Sequence, residues 1–541
     1  MGALLQSIPP RNRVFSGLIL AMLGVVCFLF RDFGITWDEP TQHQYGIYTL
    51  QYYETFFRDK SALTYLDAYL YGGLFNLVAA LFVELSSLGV YESRHLLNAL
   101  VGVIGIIGTL KLAQLLAGYR AALLAALLLF LEPSYFGHMF NNPKDIPFAV
   151  GYVWSLYYLL KSFEYLPKVP TGTMLKLGAA IGLTLAVRIG GLVVLGYLGL
   201  AIAGYCVFPA WFSLVTPGVV RPALKLKALS RYVVGVFVVC YVVMLIFWPW
   251  AQQDPLRRPI EALEYMSKFS IKDSGLLARV LVGGEYLNAK DLPATYLPHY
   301  FAVKMPELIL VGLILGAVMA IRYLWAGKAK GQKLRTIQYI FLVFAALFPV
   351  FYVVWIKSIL YDTMRHLLFI VPCLCAISGI ALGKLSDILA RDRKWRRIAA
   401  DAFVAVLLLP QLGAIIQLHP HQYVYYNEFA GGVKGADGRY EMDYWGNSYK
   451  EAVQLLVDYL KKNEGEKFRR SKYKVHVLGP VSSALPYFPD NFKLTGYIRN
   501  ADFVISFTRW NFDRMAPGDQ IVAVERMGVE LSVVKDARKV N

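Results

Sequence analysis

Apolar residues occur in this chain as long blocks separated by short polar segments, and the blocks recur over most of its length. Each block has about the 20 residues that an α-helix needs to cross a ~30 Å hydrocarbon layer. The pattern predicts a mainly α-helical, polytopic membrane protein with about eleven transmembrane helices. We place these helices at residues 14–31, 95–117, 119–137, 146–163, 173–188, 190–208, 232–250, 301–322, 337–356, 366–384 and 398–418.

Lysine and arginine are concentrated in alternate polar segments, and the whole chain has a formal net charge of +18. Cytoplasmic loops of membrane proteins carry such an excess of basic residues, so the charge indicates a topology rather than a nucleic-acid partner. With the N-terminus inside, we expect a multi-pass protein of the bacterial inner membrane. Two long loops, residues 32–94 and 251–300, then face the periplasm together with the C-terminal segment.

The segment at residues 71–90 is apolar enough to cross the membrane, but Gly72, Gly73 and Glu84 interrupt it. A crossing here would reverse the side of every later loop and remove the agreement between charge and topology. We therefore predict an interfacial or re-entrant helix, although the sequence leaves the transmembrane alternative open.

The long apolar blocks end near residue 418, and shorter periodic runs replace them. These runs predict one helix, which begins at the capping-box sequence Ser448-Tyr-Lys-Glu451, and several strands. The strands are expected at Tyr473–Leu478, Asp502–Thr508, Gln520–Glu525 and Val529–Lys535, the last two forming a hairpin. The chain is thus expected to have two domains, a membrane domain at 1–418 and a small periplasmic α/β domain at 419–541.

Acidic residues lie beside the predicted helices on the outer side. Asp38 and Glu39 follow the first helix, and Asp145 precedes the helix at 146–163. Carboxylates at the membrane surface are costly to leave unpaired, so these residues are candidates for a general base, a metal site or acceptor binding. The structural alternative is helix capping, because aspartate is favoured at the start of a helix.

Basic side chains are expected at the same outer level. They are Lys144 beside Asp145, Arg188 between two apolar blocks, and Lys357, Arg365 and His366 in the turn before the helix at 366–384. Clusters of such residues recognise phosphate through charge-assisted hydrogen bonds. We interpret them as candidates for phosphate binding, with ion pairs inside the fold as the structural alternative.

Aromatic residues accompany these charged groups. The candidates for substrate binding are Tyr45, Tyr361, Asp443 and Trp445. Aromatic rings beside carboxylates suit sugars, which have apolar ring faces and hydroxyl rims. Packing between the membrane domain and the C-terminal segment is the alternative explanation for Asp443 and Trp445.

Signatures of soluble enzymes do not occur in the sequence. It has no nucleotide-binding glycine-rich loop, no zinc-binding spacing and no nucleophile elbow. Its five cysteines lie in or beside apolar blocks, which argues against a disulfide framework. The lack of a nucleotide site favours a lipid-linked sugar over a nucleotide sugar as a donor.

The order of four features resembles the bacterial branch of the protein O-mannosyltransferase superfamily, glycosyltransferase family 39, which includes aminoarabinose transferases. The features are the Asp38-Glu39 pair, the series Arg94, Asn98 and Gly102, the Asp145 loop, and Arg365-His366 before Phe369-Ile-Val-Pro372. The resemblance covers roughly residues 10–420 and implies a GT-C fold. It implies transfer of a hexosyl or pentosyl group from a polyprenyl phosphate to a glycan, lipid or protein acceptor.

The resemblance also implies roles for individual residues. Asp38 would act as the general base with Glu39 assisting it, and Asp145 would be a second acidic site. A divalent metal, Mg²⁺ or Mn²⁺, would bind to Asp38 and Asp145. The donor phosphate would bind to Lys144, Arg188, Arg365 and His366. We expect a single displacement, which would invert the anomeric centre.

Three other functions remain open at this stage. A lipid or glycan transporter or flippase would account for many helices and intramembrane charges. An oligosaccharide ligase would move a preassembled glycan by related chemistry. A non-catalytic assembly factor would use the C-terminal domain as a binding module. The location of the polar clusters on one face favours an enzyme, and substitution of Asp38 separates an enzyme from a scaffold.

Overall fold

The computed structural model describes residues 10–212, 222–267, 279–325, 333–390 and 393–539, and most of them are helical. We number the helices of nine or more residues in chain order. They are α1 Pro10–Leu29, α2 Glu39–Glu54, α3 Leu74–Leu85, α4 Val90–Ala117, α5 Tyr119–Phe130, α6 Pro133–Asn141, α7 Asp145–Ser162, α8 Thr171–Leu185, α9 Leu192–Val207, α10 Pro222–Ile246, α11 Arg258–Ser267, α12 Tyr296–Lys304, α13 Glu307–Trp325, α14 Lys333–Trp355, α15 Val371–Ala390, α16 Lys394–Leu407, α17 Leu409–Leu418 and α18 Tyr449–Glu464.

Six helical segments within the described residues are long and apolar enough to cross a membrane. They are Val90–Ala117, Ile189–Val207, Lys225–Ile246, Lys333–Trp355, Arg365–Ala390 and Trp395–Leu418. Two bent pairs, α5 with α6 and α12 with α13, raise the number to eight if each pair is one span. The predicted count of about eleven is therefore not confirmed, because the helices near the remaining predicted spans do not meet the same criteria.

Large apolar side chains on several of these helices face outward. Ile314, Phe351 and Ile416 are 65%, 61% and 66% exposed, respectively. A soluble surface seldom carries contiguous apolar patches of this kind, whereas lipid-facing helices require them. These outward-facing side chains agree with the helix lengths, and the chain is a multi-pass membrane protein.

Helix α15 lies at the centre of the bundle, and nearly all of its side chains are buried. It packs against α5 and α13. A Cβ atom at Gly379 of α15 would lie 2.6 Å from the backbone nitrogen of Ala125 in α5. Glycine therefore allows the two helices to approach closely, as small residues do between transmembrane helices.

The doubtful segment at 71–90 forms the 12-residue helix α3, which packs against α2 and α4. Twelve helical residues extend only about 18 Å, well short of a ~30 Å hydrocarbon layer. The chain before α3 contacts the end of α8, where Leu74 N donates to Ala186 O at 3.2 Å. A Cβ atom at Gly72 would lie 1.9 Å from that same carbonyl oxygen, so this approach requires glycine.

Seven strands form two sheets in the part of the chain that the structure describes. They are β1 Arg279–Val282, β2 Glu285–Asn288, β3 Tyr473–Leu478, β4 Phe492–Leu494, β5 Phe503–Phe507, β6 Asp519–Arg526 and β7 Val529–Asp536. Strands β1 and β2 form a small antiparallel hairpin in the second long loop. The C-terminal strands form one sheet in the order β4-β3-β5-β7-β6, in which β3 is parallel to β4 and β5, and β7 is antiparallel to β5 and β6.

The C-terminal sheet confirms the strands expected from the sequence and adds β4. Met527 and Gly528 connect β6 to β7 with positive φ angles, as a tight hairpin requires. Helix α18 covers the sheet with Ala452, Leu456 and Leu460. It begins after Ser448 as expected, but the capping box is wrong in detail. The Ser448 hydroxyl donates to Asp443 Oδ2 at 2.5 Å and makes no cap hydrogen bond among the described residues.

Two hydrophobic clusters meet near the start of α18. The cluster of the membrane part continues through Tyr444 and Trp445, and that of the C-terminal part begins at Tyr449. The residues between α17 and α18 therefore pack mainly with the membrane part. The domain boundary at 418/419 stays a prediction. The change from one hydrophobic cluster to the other lies about thirty residues later, between Trp445 and Tyr449.

Candidate active site

A cavity of about 850 Å³ lies between α7, α9, α14 and the turn that precedes α15. Most of its lining is apolar and includes Leu192, Tyr197, Phe344 and Phe348. Its polar end contains Lys144, Arg188, Arg365 and His366, together with Tyr71 and Tyr361, and the ion pairs of Asp38 and Asp145 hold the three cations together. Ligand pockets commonly combine an apolar surface with a few convergent polar groups. This one suits a molecule that has an anionic head and an apolar chain.

Asp38 lies at the polar end of this region. It precedes α2, yet its carboxylate makes no capping hydrogen bond among the described residues. It pairs with Lys144 Nζ at 2.8 Å and lies 3.6 Å from Arg365 Nη1. Burial alone would raise the pKa of Asp38, and these two cations lower it below its ordinary value. The side chain remains 30% exposed, so a substrate can reach it.

Asp145 is the first residue of α7 and is almost completely buried. Its Oδ1 atom pairs with Arg188 Nη1 at 2.6 Å, and its Oδ2 atom lies 3.7 Å from Arg365 Nη1. Asn142 fixes the carboxylate from the preceding turn, because it donates to Asp145 Oδ2 at 2.8 Å and accepts from Asp145 N at 2.9 Å. Asp145 therefore orients two guanidinium groups at the cavity.

Arg365 is the centre of the charged cluster. Its Nη2 atom pairs with Asp362 Oδ2 at 2.9 Å, and its Nη1 atom lies between Asp38 and Asp145. The guanidinium lies over the Trp445 ring at 4.7 Å and the Tyr361 ring at 5.3 Å. Cation–π contacts of this kind hold arginine in a fixed plane. Arg365 is thus positioned by three carboxylates and two aromatic rings.

The cluster continues into the C-terminal domain. Arg509 Nη2 pairs with Asp362 Oδ1 at 2.7 Å and with Glu441 Oε1 at 3.3 Å. Asp362 and the next residue, Thr363, have positive φ angles, which are strained for residues other than glycine. An arginine of the C-terminal domain therefore helps to fix the turn that presents Arg365.

Glu39, the neighbour of Asp38, does not join this cluster. It is 1% exposed and pairs with His95 Nε2 at 3.0 Å. It also accepts hydrogen bonds from Thr36 N at 2.8 Å and Thr36 Oγ1 at 3.1 Å. Its contacts connect the start of α2 to α4. They favour a structural role for this carboxylate rather than the assisting role that the resemblance implies.

The other predicted substrate and phosphate residues are distributed differently. Tyr361 lines the cavity, whereas Tyr45 is buried and donates to Tyr71 O at 3.2 Å. Asp443 caps the loop before α18 by accepting from the backbone amides of residues 445–448. Lys357 is exposed and is not among the cavity-lining residues in the described chain. Trp445 contacts Arg365 through its ring face rather than the cavity.

The residues at this site do not fit a divalent metal. The predicted ligands Asp38 and Asp145 are each paired with a cation, and three cationic side chains surround them. The described residues contain no group of three or more His, Cys, Asp or Glu side chains that could hold a metal ion. Hard cations such as Mg²⁺ need several oxygen ligands that are not already neutralised. We therefore assign no chemistry to a metal here.

Four important residues were missed by reasoning from the sequence alone. Tyr71 lies under Lys144 and Arg188 at 5.8 and 5.9 Å, Asn142 orients Asp145, and Asp362 and Arg509 form the connection to the C-terminal domain. Asn142 and Asp362 adjoin predicted residues and could have been included with them. Arg509 is 147 residues from Asp362, and no local sequence pattern indicates that contact.

Comparisons with known proteins place this geometry in a known fold. No protein-family model and no curated protein sequence matches the chain. Among solved structures, it is similar to the oligosaccharyltransferase of Archaeoglobus fulgidus in the apo form, with a TM-score of 0.50 and 13% sequence identity. That similarity covers 90% of this chain and 69% of the archaeal chain, and it shows a GT-C fold, as the sequence resemblance implied.

A second solved structure is ArnT from Cupriavidus metallidurans in the apo state. The similarity covers 97% of this chain and 99% of the ArnT chain, with 15% sequence identity and a TM-score of 0.47. Identities this low bear on the fold and not on the reaction. The function therefore has to be argued from the charged cavity itself.

Proposed function

We propose that this protein is a membrane glycosyltransferase that moves a sugar from a polyprenyl-phosphate donor to an acceptor hydroxyl, with Asp38 as the general base. The observation that carries the proposal is the 850 Å³ cavity, which combines a mostly apolar lining with Lys144, Arg188 and Arg365. A polyprenyl phosphate has the matching parts, a long apolar chain and an anionic head.

The phosphate has specific donors available. Among the described residues, the Nε atoms of Arg188 and Arg365 are buried and have no hydrogen-bond partner. Lys144 adds a third cation at the same end of the cavity. Hydrogen bonds from charged donors to phosphate are among the stronger ones in proteins. Buried donors without partners are costly, and a bound phosphate would remove that cost.

Donor binding also prepares the base. Lys144 and Arg365 lower the pKa of Asp38 in the donor-free protein, which makes its carboxylate a poor proton acceptor. A phosphate competes for both cations, so the pKa of Asp38 rises once the donor is bound. Asp38 therefore becomes an effective proton acceptor only after the donor has bound. In the donor-free protein its carboxylate stays ionised and takes up few protons.

The chemical step is a single displacement. The acceptor oxygen attacks the anomeric carbon, the bond from that carbon to the phosphate oxygen breaks, and the acceptor proton passes to Asp38. Negative charge develops on the leaving phosphate, where Lys144, Arg188 and Arg365 are already placed to stabilise it. Asp145 acts as a positioning residue through Arg188 and Arg365. Configuration at the anomeric carbon is inverted.

The proposal includes a location for the reaction. The basic loops predicted inside support a location of the cavity and the C-terminal domain on the periplasmic side of a bacterial inner membrane. Polyprenyl phosphates keep their chain in the bilayer, so a cavity between helices allows lateral entry of the donor. The acceptor would then approach from the aqueous side, near the C-terminal domain.

The test uses the full-length protein in lipid nanodiscs with a panel of radiolabelled polyprenyl-phosphate sugars and an extract of cell-envelope acceptors. Turnover of one donor, with an inverted anomeric product by NMR, is the expected result. Polyprenyl phosphate alone should compete with that donor. A folded protein that neither binds polyprenyl phosphate nor consumes any donor would overturn the proposal and favour a transporter or an assembly factor.

A further inference from the structure

A second cavity lies where the C-terminal domain meets the membrane part, and we call it the junction cavity. Its volume is about 470 Å³, within the roughly 300–1,000 Å³ range of small-molecule sites. It is formed by the β1–β2 hairpin, the segment before α18, and the turns that follow β5 and β6. Its lining is mostly polar and includes Tyr286, Asp437, Glu441, Arg509, Asp513 and Glu530.

Two buried polar atoms among the lining residues are unused. Within the described chain, Glu441 Oε2 and Arg509 Nε have no hydrogen-bond partner. Glu441 is 3% exposed and Arg509 is 8% exposed, and they pair through other atoms at 3.3 Å. An unsatisfied buried donor or acceptor is costly, so a ligand that satisfies both is favoured.

The chemistry of these atoms selects the ligand class. A carboxylate oxygen accepts and a guanidinium N–H donates, and only a group that both donates and accepts can satisfy them together. A hydroxyl does so, whereas an ammonium only donates and a phosphate dianion only accepts. Burial raises the pKa of Glu441 above its ordinary value, against the lowering effect of Arg509. A hydroxyl can bond to either protonation state of this carboxyl.

The charge of the lining argues against an anionic ligand. Four carboxylates line the cavity, namely Asp437, Glu441, Asp513 and Glu530, against two arginines, Arg509 and Arg514. Arg509 is already paired with Asp362 and Glu441, so an anionic ligand would meet net repulsion. Tyr286 adds a partly exposed ring of the kind that packs against sugars.

The junction cavity is connected to the catalytic cluster by one carboxylate. Asp362 pairs with Arg509, which lines the junction cavity, and with Arg365. Arg365 lines the cavity of about 850 Å³ between α7, α9 and α14, which we call the donor cavity. A ligand in the junction cavity is therefore held beside the turn that presents Arg365. Binding of a remote part of a substrate is a common way to position its reacting group.

We propose that the junction cavity binds a neutral, hydroxyl-rich sugar residue of a glycan acceptor, away from the hydroxyl that reacts. This rests on the proposed transfer reaction, and it defines the acceptor as a glycan or a glycan-bearing molecule. Rim residues such as Asp437, Gly438 and Asn511 are exposed, so the ligand enters from the aqueous side.

The experiment measures binding directly, without turnover. Labelled full-length protein in nanodiscs is applied to an array of neutral, acidic and amine-bearing oligosaccharides, and the affinity of the best ligand is then measured in solution. Two variants test the site, Glu441→Leu, which removes the unused oxygen at similar side-chain volume, and Asp437→Trp, which obstructs the exposed rim without changing the core. Tyr497→Ala is the matched control, because Tyr497 is 76% exposed and is not a lining residue of the cavity.

The expected result is binding of neutral oligosaccharides that both variants weaken roughly tenfold or more. The Glu441→Leu variant loses one buried hydrogen bond to a charged group, and Asp437→Trp blocks entry of the ligand. Tyr497→Ala binds like wild type, and Asp437→Trp leaves undecaprenyl phosphate binding unchanged. Selection of only acidic or amine-bearing ligands, including basic peptides, overturns the proposal. So does neutral-glycan binding that neither variant affects, or no binding at all.

The same measurements separate this inference from the reaction itself. If the variants weaken glycan binding but the protein consumes no donor, the proposed junction site is supported and the proposed transfer reaction is wrong. If the protein turns over a donor but its junction cavity binds no glycan, only the proposed acceptor site is wrong.

Discussion

Asp38 and Glu39 are adjacent in the chain, and the regions around them differ in every respect that matters for function. Asp38 is partly exposed at a cavity and is held by Lys144 and Arg365. Glu39 is enclosed between α2 and α4 and is held by Thr36 and His95. One region can accept a substrate, and the other has no room for one.

The difference follows from helix geometry. Successive residues at a helix start point about 100° apart, because α-helices have 3.6 residues per turn. Asp38 thus points towards Lys144 and Arg365, which line the cavity, while Glu39 points towards His95 of α4. Two neighbouring carboxylates should not be given a shared role on sequence alone.

Replacing Asp38 with asparagine should lower the transfer rate about 10²–10⁴-fold, the usual contribution of a general base. Donor binding should be retained or tightened, because the carboxylate no longer competes with phosphate for Lys144. Rates are measured with the radiolabelled donor, and affinity with undecaprenyl phosphate. A rate within tenfold of wild type would remove Asp38 from the chemical step.

Two lysines provide a matched pair for the donor site. Lys144→Gln should weaken undecaprenyl phosphate binding roughly 10–100-fold, since one charge-assisted hydrogen bond is lost. Lys357→Gln should have no effect, because Lys357 is exposed and outside the cavity lining of the described chain. Equal losses in the two variants would mean that general charge, rather than the cavity, attracts the phosphate.

Glu39→Ala should reduce the stability of the folded protein rather than the rate of transfer. It removes the acceptor of hydrogen bonds from Thr36 and His95 in a buried region, at a cost of about 1–3 kcal/mol in the free energy of unfolding. The transfer rate per folded molecule should stay within tenfold of wild type. Denaturant unfolding and the transfer assay are run on the same preparation. A large rate loss without destabilisation would restore the assisting role.

The paired carboxylate of Glu451, in the C-terminal domain, should make a smaller contribution to stability, and this contribution should depend on pH. Glu451 of α18 pairs with Arg526 of β6 at 2.6 Å and with His421 at 3.2 Å. Burial would raise the pKa of Glu451, but these partners lower it from 4.5 to about 2. A depressed pKa stabilises the folded state above the unfolded-state value and loses that effect as the pH falls.

Glu451→Gln should therefore be less stable than wild type at pH 6, and the difference should vanish as the pH falls from about 4.5 towards 2. Thermal unfolding followed by tryptophan fluorescence at several pH values measures it. A stability difference that is the same at pH 6 and at pH 2.5 would show that the charge of Glu451 is not its cause.

Much of the fold was accessible from local sequence patterns. The apolar blocks predicted the helical membrane part, and alternation predicted β3 and the β6–β7 hairpin, because these signals depend on residues close in the chain. The number of crossings was not accessible in this way. Helices such as α3 and α8 are apolar but short, and bent pairs such as α5 and α6 read as single blocks.

The candidate site was only partly accessible. Lys144, Arg188, Arg365 and His366 line one cavity, and each stood beside a predicted helix end. The contacts that hold them are distant in sequence, as between Arg509 and Asp362. Ser448 shows the same limit at short range, because its hydroxyl bonds Asp443 instead of capping α18. Side-chain partners depend on three-dimensional packing, which periodicity does not contain.

The pairing of Asp362 with arginines from both domains restricts how this protein can be divided or recombined. A chimera that kept the membrane domain and took its C-terminal domain from elsewhere would have to supply a guanidinium where Arg509 lies. Without it, Asp362 would lose one of its two partners, and the strained turn at 362–363 would lose a restraint. The C-terminal domain is therefore a structural component of the proposed donor site rather than an exchangeable module.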